Sequence, residues 1–225
     1  MKPITILLAE DHTIVRKGIR MMLEMEKNFV ILGEATDGHD ALRLARSLKP
    51  DVVLMDIAMP ELNGLEATRQ LLKLLPKTKI IILSAHNDDN YISKAIDNGA
   101  VGYLLKQSSV QDVCRAVNKV MQGQKFFSAD ILKRLQHFNA AALERKQAFT
   151  SHAAPLTSRE MEVLQQVAEG APNKQIAADL KISIKTVEKH RCSLMKKLNI
   201  HDTAGLTRYA VQEGVIEISS QRTIT

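Results

Sequence analysis

Five side chains stand at the ends of short apolar runs: Glu10 and Asp11 after "ITILLA", Asp56 after "VVLM", Ser84 closing "KIIILS", and Lys106 after "VGYLL". Three carboxylates, a hydroxyl and an ammonium form a coherent set for phosphoryl transfer to a carboxylate. There the protein supplies a nucleophile and steadies the charge of the moving group. Clustered carboxylates repel one another unless a hard cation sits among them. Mg2+ takes oxygen ligands and keeps several waters, so one or two acidic side chains suffice to hold it. Asp56 is the candidate nucleophile. Lys106 adds positive charge, and Ser84 offers a hydrogen bond to a phosphoryl oxygen. Each residue also has a plainer explanation, as a turn Asp, a Ser cap or a solvated Lys. Their recurrence at corresponding strand ends favours the joint reading.

That convergence requires a particular scaffold. Residues 1–121 alternate apolar runs, at 4–9, 29–35, 52–55, 79–84 and 101–105, with helix-period stretches at 13–26, 39–48, 64–74, 89–98 and 109–121. Five repeats of strand then helix imply a parallel sheet covered on both faces. With right-handed crossovers, the leading topology is a five-stranded doubly wound α/β sheet. All its C-terminal strand ends open on one edge, where ligands bind. The buried run Val52 to Met55 would hold Asp56 still, and Pro60 would shape the loop that follows.

The pattern then changes. "QGQKFFSAD" (122–130) breaks the alternation, and Ile131, Leu135, Phe138 and Ala142 recur at helical spacing. That stripe suits a contact between two chains or a cover for its own α/β domain equally well. "TSHAAP" (150–155) is a linker composition. The expected division is an α/β domain at 1–123, a partly helical linker at 124–155, an all-helical domain at 156–217 and a tail at 218–225. In the helical domain, Thr157 and Glu160 form a capping box, with Leu156 stapled to Met161. Asn173, Ser183 and Asp202 are the expected caps of the next three helices. Four helices with a short "KIS" turn make a helix-turn-helix module.

Composition sets further bounds. The chain has 225 residues, 45% hydrophobic and 25% charged, which suits two ordinary globular domains. No apolar run approaches the roughly 18 residues of a membrane span, and acidic residues arrive too early for a signal peptide. Cys114 and Cys192 lie far apart and suit isolated reduced thiols, hence a cytoplasmic setting. His12, His39, His86 and His201 lack the paired spacing of a metal site.

The net charge of +6 is unevenly spread: residues 181–197 hold six basic residues and one acidic residue, Glu188. That is the footprint of a helix meeting a phosphate backbone. At 100° per residue, Ile184, Val187, Leu194 and Leu198 share an inner face. Lys185, Glu188, Lys189, Cys192 and Lys196 form the outer stripe. Such a stripe can enter a major groove, where Lys reads guanine and Glu accepts from cytosine. Lys197, Lys174 and Asn173 are placed for phosphates. Arg191 falls on the apolar side and should send its head to a phosphate or carboxylate. His190 suits a structural role.

"LLAEDH", "VVLMDIAMPELNG", "IILSAH" and "GAVGYLLK" resemble the successive signatures of bacterial response-regulator receiver domains. "LTSREMEVLQQVAEGAPNKQIAADLKISIKTVEKHRCSLMKKL" resembles the LuxR-type helix-turn-helix, and the combination is similar to the NarL/FixJ family of two-component transcriptional regulators. The resemblance implies a flavodoxin-like receiver with Asp56 as phosphoacceptor. It implies Mg2+ on Asp11, Asp56 and the Ala58 backbone carbonyl, with Glu10 acting through water. Ser84 and Tyr103 take the switch positions and Lys106 the phosphoryl-binding lysine. A phosphoryl group on Asp56 would draw Ser84 inward, and Tyr103 would rotate into the vacated space. Implied partners are a sensor histidine kinase, double-stranded DNA, a second copy of the chain after phosphorylation, and RNA polymerase. The chain departs from the family where Pro often follows the lysine; here it is Gln107, which makes a cis bond costly. An aspartyl-phosphate phosphatase is the alternative, but such enzymes want a second Asp two residues after the nucleophile, and that position is Ala58. A module that meets RNA or protein is the other.

Overall fold

The apolar runs become parallel strands, and the helix-period stretches become the crossovers between them. The computed structural model describes residues 2–85, 87–132, 134 and 156–216. Two units divide between residues 149 and 150. The first runs β1 (Ile4–Ala9), α1 (Thr13–Glu24), β2 (Phe29–Ala35), α2 (Gly38–Leu48), β3 (Val52–Asp56), α3 (Gly64–Leu74), β4 (Lys79–Ser84), α4 (Asp89–Asp97), β5 (Gly102–Leu105), α5 (Val110–Met121) and β6 (Phe126–Phe127). The sheet order is β2-β1-β3-β4-β5-β6, and every pairing is parallel.

β3 sits inside the sheet and is buried along its length. Successive side chains point to opposite faces. Val53 and Met55 therefore join a core layer with Ala45, Leu71 and Ala95, while Val52 and Leu54 join one with Leu23, Val113 and Val117. Asp37, Asn63 and Ser109 cap α2, α3 and α5 by accepting from the backbone N–H three residues on.

The sheet has six strands where five were expected. Phe126 and Phe127, in the segment assigned to the linker, pair with Gly102 and Tyr103 of β5. A two-residue strand is too short to show alternation, so periodicity alone does not reveal it. Its ladder is continued by Phe126 N–H donating to Val101 O at 3.0 Å and Ser128 N–H to Tyr103 O at 3.2 Å. Ile131 is fully buried in the core layer of its own unit. Leu135, Phe138 and Ala142 lie outside the described residues.

A close approach fixes the loop after β3. A Cβ on Gly64 would lie 1.8 Å from the backbone oxygen of Asp56, and Gly64 N–H donates to Ile57 O at 2.9 Å. The first residue of α3 thus presses on the carbonyl of Asp56 itself. Gly64→Ala is expected to destabilise this unit by about 3 kcal/mol, at the upper end of overpacking costs. Urea unfolding followed by circular dichroism checks it, and an unchanged midpoint would contradict the contact.

The second unit holds α6 (Ser158–Ala168), α7 (Asn173–Asp179), α8 (Ile184–Leu198) and α9 (Thr203–Gln212). The capping box forms: Thr157 N–H donates to Glu160 Oε2 at 2.8 Å, and Glu160 N–H to Thr157 Oγ1 at 3.3 Å. Leu156 and Met161 both pack on the core made by Val163, Leu164, Ile176, Val187, Leu194 and Leu206. Gly170 ends the first helix with φ +89°. Ser183 and Asp202 cap α8 and α9 as expected. Asn173 does not cap α7: Pro172 occupies the N-cap position, and Asn173 is the first helical residue. Its side chain is turned to Arg191 instead.

Candidate functional site

Strand register assembles the acidic cluster. Ala9 pairs with Met55, so Glu10 stands beside Asp56, while Ser84 pairs with Leu105 just before Lys106. Glu10 and Asp56 are each 1% exposed. Lys106 Nζ donates to Asp56 Oδ2 at 2.9 Å and lies 2.8 Å from Glu10 Oε2. One ammonium therefore bridges two buried carboxylates. Burial, then repulsion from Glu10, pushes the Asp56 carboxyl up to about 6, against the pull of Lys106. Burial works against the charge on Lys106, but Asp56 and Glu10 outweigh it and raise its pKa. Ala58 lies in the loop directly after the strand, half-buried.

His12 lacks the paired spacing of a histidine metal site, yet the structure brings it into this cluster. Its Nδ1 lies 2.7 Å from Asp11 Oδ1 and 3.1 Å from Glu10 Oε1. Burial opposes its protonation, but the neighbouring charges raise its pKa. The four side chains Glu10, Asp11, His12 and Asp56 bring ligand atoms within 4.8 Å of one another. Arg16, also unforeseen, ties the loop down from α1 by donating to Glu10 O at 2.7 Å and Asp11 O at 3.2 Å.

The donor set fits a hard divalent cation. Glu10 Oε2 and Asp11 Oδ1 are buried without a hydrogen-bond donor, although the Lys106 and His12 nitrogens lie close. Buried oxygens in that condition are costly, and a cation would relieve them.

Ser84 and Tyr103 are both fully buried, and their side chains are hydrogen-bonded to each other. Burial accordingly raises the phenol pKa of Tyr103. The Lys106–Gln107 bond is trans, as are all peptide bonds of the described residues.

In the second unit, Lys185, Glu188, Lys189, Cys192 and Lys196 all lie exposed on α8, as the helical spacing implies, and Lys174 is exposed on α7. Two assignments change. Ile184, expected inside, is 45% exposed at the first turn of α8. Lys197 turns inward, and its Nζ donates to Glu160 Oε2 at 2.6 Å. Arg191 donates to Asn173 Oδ1 at 2.7 Å and Thr203 Oγ1 at 3.1 Å. Both cations join helices of the unit to one another.

Glu160 also accepts from Ser193 Oγ at 2.7 Å, so it joins the start of α6 to α8. Burial opposes its charge, but Lys197, Thr157 and Ser193 hold its carboxyl at about 2. Its ordinary value is 4.5, so the stabilisation is complete above that pH and lost as pH falls from 4.5 through 2. Acidification from pH 5 to 3 should lower the Tm of this unit, and Glu160→Gln should flatten that slope. Equal slopes in scanning calorimetry would contradict it.

Family comparison agrees with both units. Residues 6–118 match the response regulator receiver domain, and residues 154–210 match the bacterial regulatory proteins of the luxR family. The chain is 35% identical to the response regulator protein VraR of Staphylococcus saprophyticus over 215 residues, covering 96% of this chain and 100% of that one. The chain belongs to the LuxR-family response regulators. The regulator is also 36% identical to the response regulator UvrY of Escherichia coli, covering 94% of this chain and 95% of the relative. A structure of the RcsB response regulator from Salmonella typhimurium superposes with a TM-score of 0.55 at 27% identity, covering 94% of the regulator and 100% of RcsB. Among the described residues no helix is long and apolar enough to cross a membrane. The regulator thus pairs a receiver domain with a LuxR-type DNA-binding domain, as its transcriptional relatives do.

Proposed function

We propose that the regulator accepts a phosphoryl group on Asp56 from a phosphohistidine of a sensor kinase and answers by binding DNA through α8. The observation that carries the chemical half is the buried bridge Asp56–Lys106–Glu10. Asp11, Asp56 and the Ala58 carbonyl would hold Mg2+, with Glu10 one water away. Bound there, the ion supplies positive charge to the phosphoryl oxygens and lets Asp56 stay ionised. A carboxylate oxygen of Asp56 attacks phosphorus, the P–N bond breaks, and its electron pair returns to the imidazole. Lys106 moves from bridging carboxylates to pairing with the transferred phosphoryl group. Ser84 leaves Tyr103 to donate to a phosphoryl oxygen. The same site would take phosphoryl groups from small donors and lose them to water, without acting on other substrates.

In the DNA-binding domain, placed at 156–217 after a linker, Lys185, Glu188, Lys189, Cys192 and Lys196 would face base edges. Lys174 would face phosphates, with Asn173 beside it. Lys197 acts through Glu160 instead. A related structure, of two RcsB dimers bound to two parallel DNAs, is 27% identical with a TM-score of 0.55. That supports duplex DNA as the target and a homodimer as the binding species; in this reading the homodimer forms on phosphorylation. RNA polymerase is a further partner, and the cytoplasm is the setting.

The direct test is labelling by phosphoramidate. Mass spectrometry should find one phosphoryl group per chain with Mg2+ present and almost none after chelation by EDTA. Labelling that persists unchanged in EDTA would overturn the metal assignment.

A further inference from the structure

The sixth strand and the residues after it touch the switch pair from the far side. Phe127 is the register partner of Tyr103, and Ser128 N–H donates to Tyr103 O at 3.2 Å. Tyr103, Phe127 and Ile131 share one core layer with Ile92 and Ala95 of α4. Arg134 reaches Asp89, at the first turn of α4, with 3.4 Å between charged atoms. On its other side Tyr103 is hydrogen-bonded to Ser84, which ends the strand beside Asp56. Asp56 pairs in register with Leu83, the residue before Ser84, and from Ser84 contacts run through Tyr103 to the segment that leads to the DNA-binding domain.

This segment is built to let go. β6 is two residues long and lies at the sheet edge, paired on one side only. Gly102 permits its close approach, since a Cβ there would meet Phe126 O at 3.2 Å. Such edge elements open at little cost compared with central strands. Its anchors, Phe127 and Ile131, sit in the layer that a moving Tyr103 must disturb. Packed layers of this kind exchange between discrete arrangements instead of deforming smoothly.

We propose that residues 126–132, with Arg134, form an intramolecular latch that covers the α4–β5 face while Tyr103 is held by Ser84. The latch is released when that pair rearranges. Release bares the face and lengthens the tether to the DNA-binding domain at the same moment. The inference rests on the reading of Asp56, Ser84 and Tyr103 given above, and adds the path by which their change leaves the receiver.

Hydrogen exchange on the full chain tests it in two arms. Without phosphorylation, Ile131→Gln should speed exchange at 126–128 and at α4 by about tenfold, leaving α2 unchanged. Linkage demands that coupling in both directions. An α4 unaffected by the substitution would show an inert appendage and overturn the latch. In the second arm, wild-type protein carrying one phosphoryl mass at Asp56 should show faster exchange at 126–128. Unchanged exchange in confirmed phosphoprotein would also overturn it. Absence of the added mass would count against the phosphoacceptor reading, and the first arm alone then decides the latch.

Discussion

Asp56→Asn is expected to abolish phosphoryl labelling while making the receiver more stable. The loss follows because the amide that replaces the carboxylate on Lys106 cannot act as the nucleophile. The gain follows from the carboxyl's position, 1% exposed beside Glu10. Its pKa of about 6 stands above the ordinary 3.8, so folding favours the protonated acid. The stability this gives is complete below about pH 4 and disappears as pH rises through 6. Above pH 7 the buried charge becomes a cost on the order of 2–3 kcal/mol, which asparagine removes. Urea unfolding of metal-free protein should show the variant ahead at pH 8 and level with wild type near pH 4. Added Mg2+ should narrow the gap at pH 8 by stabilising wild type more. A variant less stable than wild type at pH 8 would mean that Lys106 over-compensates the burial.

Replacing Lys185 and Lys189 together by alanine should weaken binding to a selected duplex by about 100-fold, taking a loss of 1–3 kcal/mol for each base contact. Both side chains are exposed on α8, so thermal stability should hardly move. Lys174→Ala should behave differently, weakening all duplexes alike and lowering the salt slope by about one. Lys197→Ala offers a third pattern, because it strands the buried carboxylate of Glu160 and should destabilise the unit. Mobility shifts across a salt series, paired with calorimetry, separate the three. If the double variant lost only non-specific affinity, the stripe would be contacting phosphates and not bases.

The sheet and the site were legible for a common reason. Long apolar runs fix strands, and in a parallel sheet their ends share one edge, so Glu10, Asp56, Ser84 and Lys106 had to meet. What periodicity does not show depends on contacts between distant elements or on very short elements. A helical wheel gives the direction of Lys197 but not that Glu160 of another helix waits there. It places Ile184 inward without showing its exposure at the first turn. Spacing from other histidines says nothing of His12, whose partners are its sequence neighbours Glu10 and Asp11. β6 left no periodic trace, and only its partner strand explains it.

That strand bears on where the receiver can be cut from the rest. A fragment ending at residue 123 would lose β6 and leave the Gly102 edge of β5 without its partner. It would also lose Ile131 and leave a hole beside Tyr103 and Ile92. An open edge next to an apolar gap invites pairing between copies. Association measured on such a fragment would then report the cut and not the signal. A fragment carried through residue 134 keeps its own edge covered, and its self-association becomes interpretable.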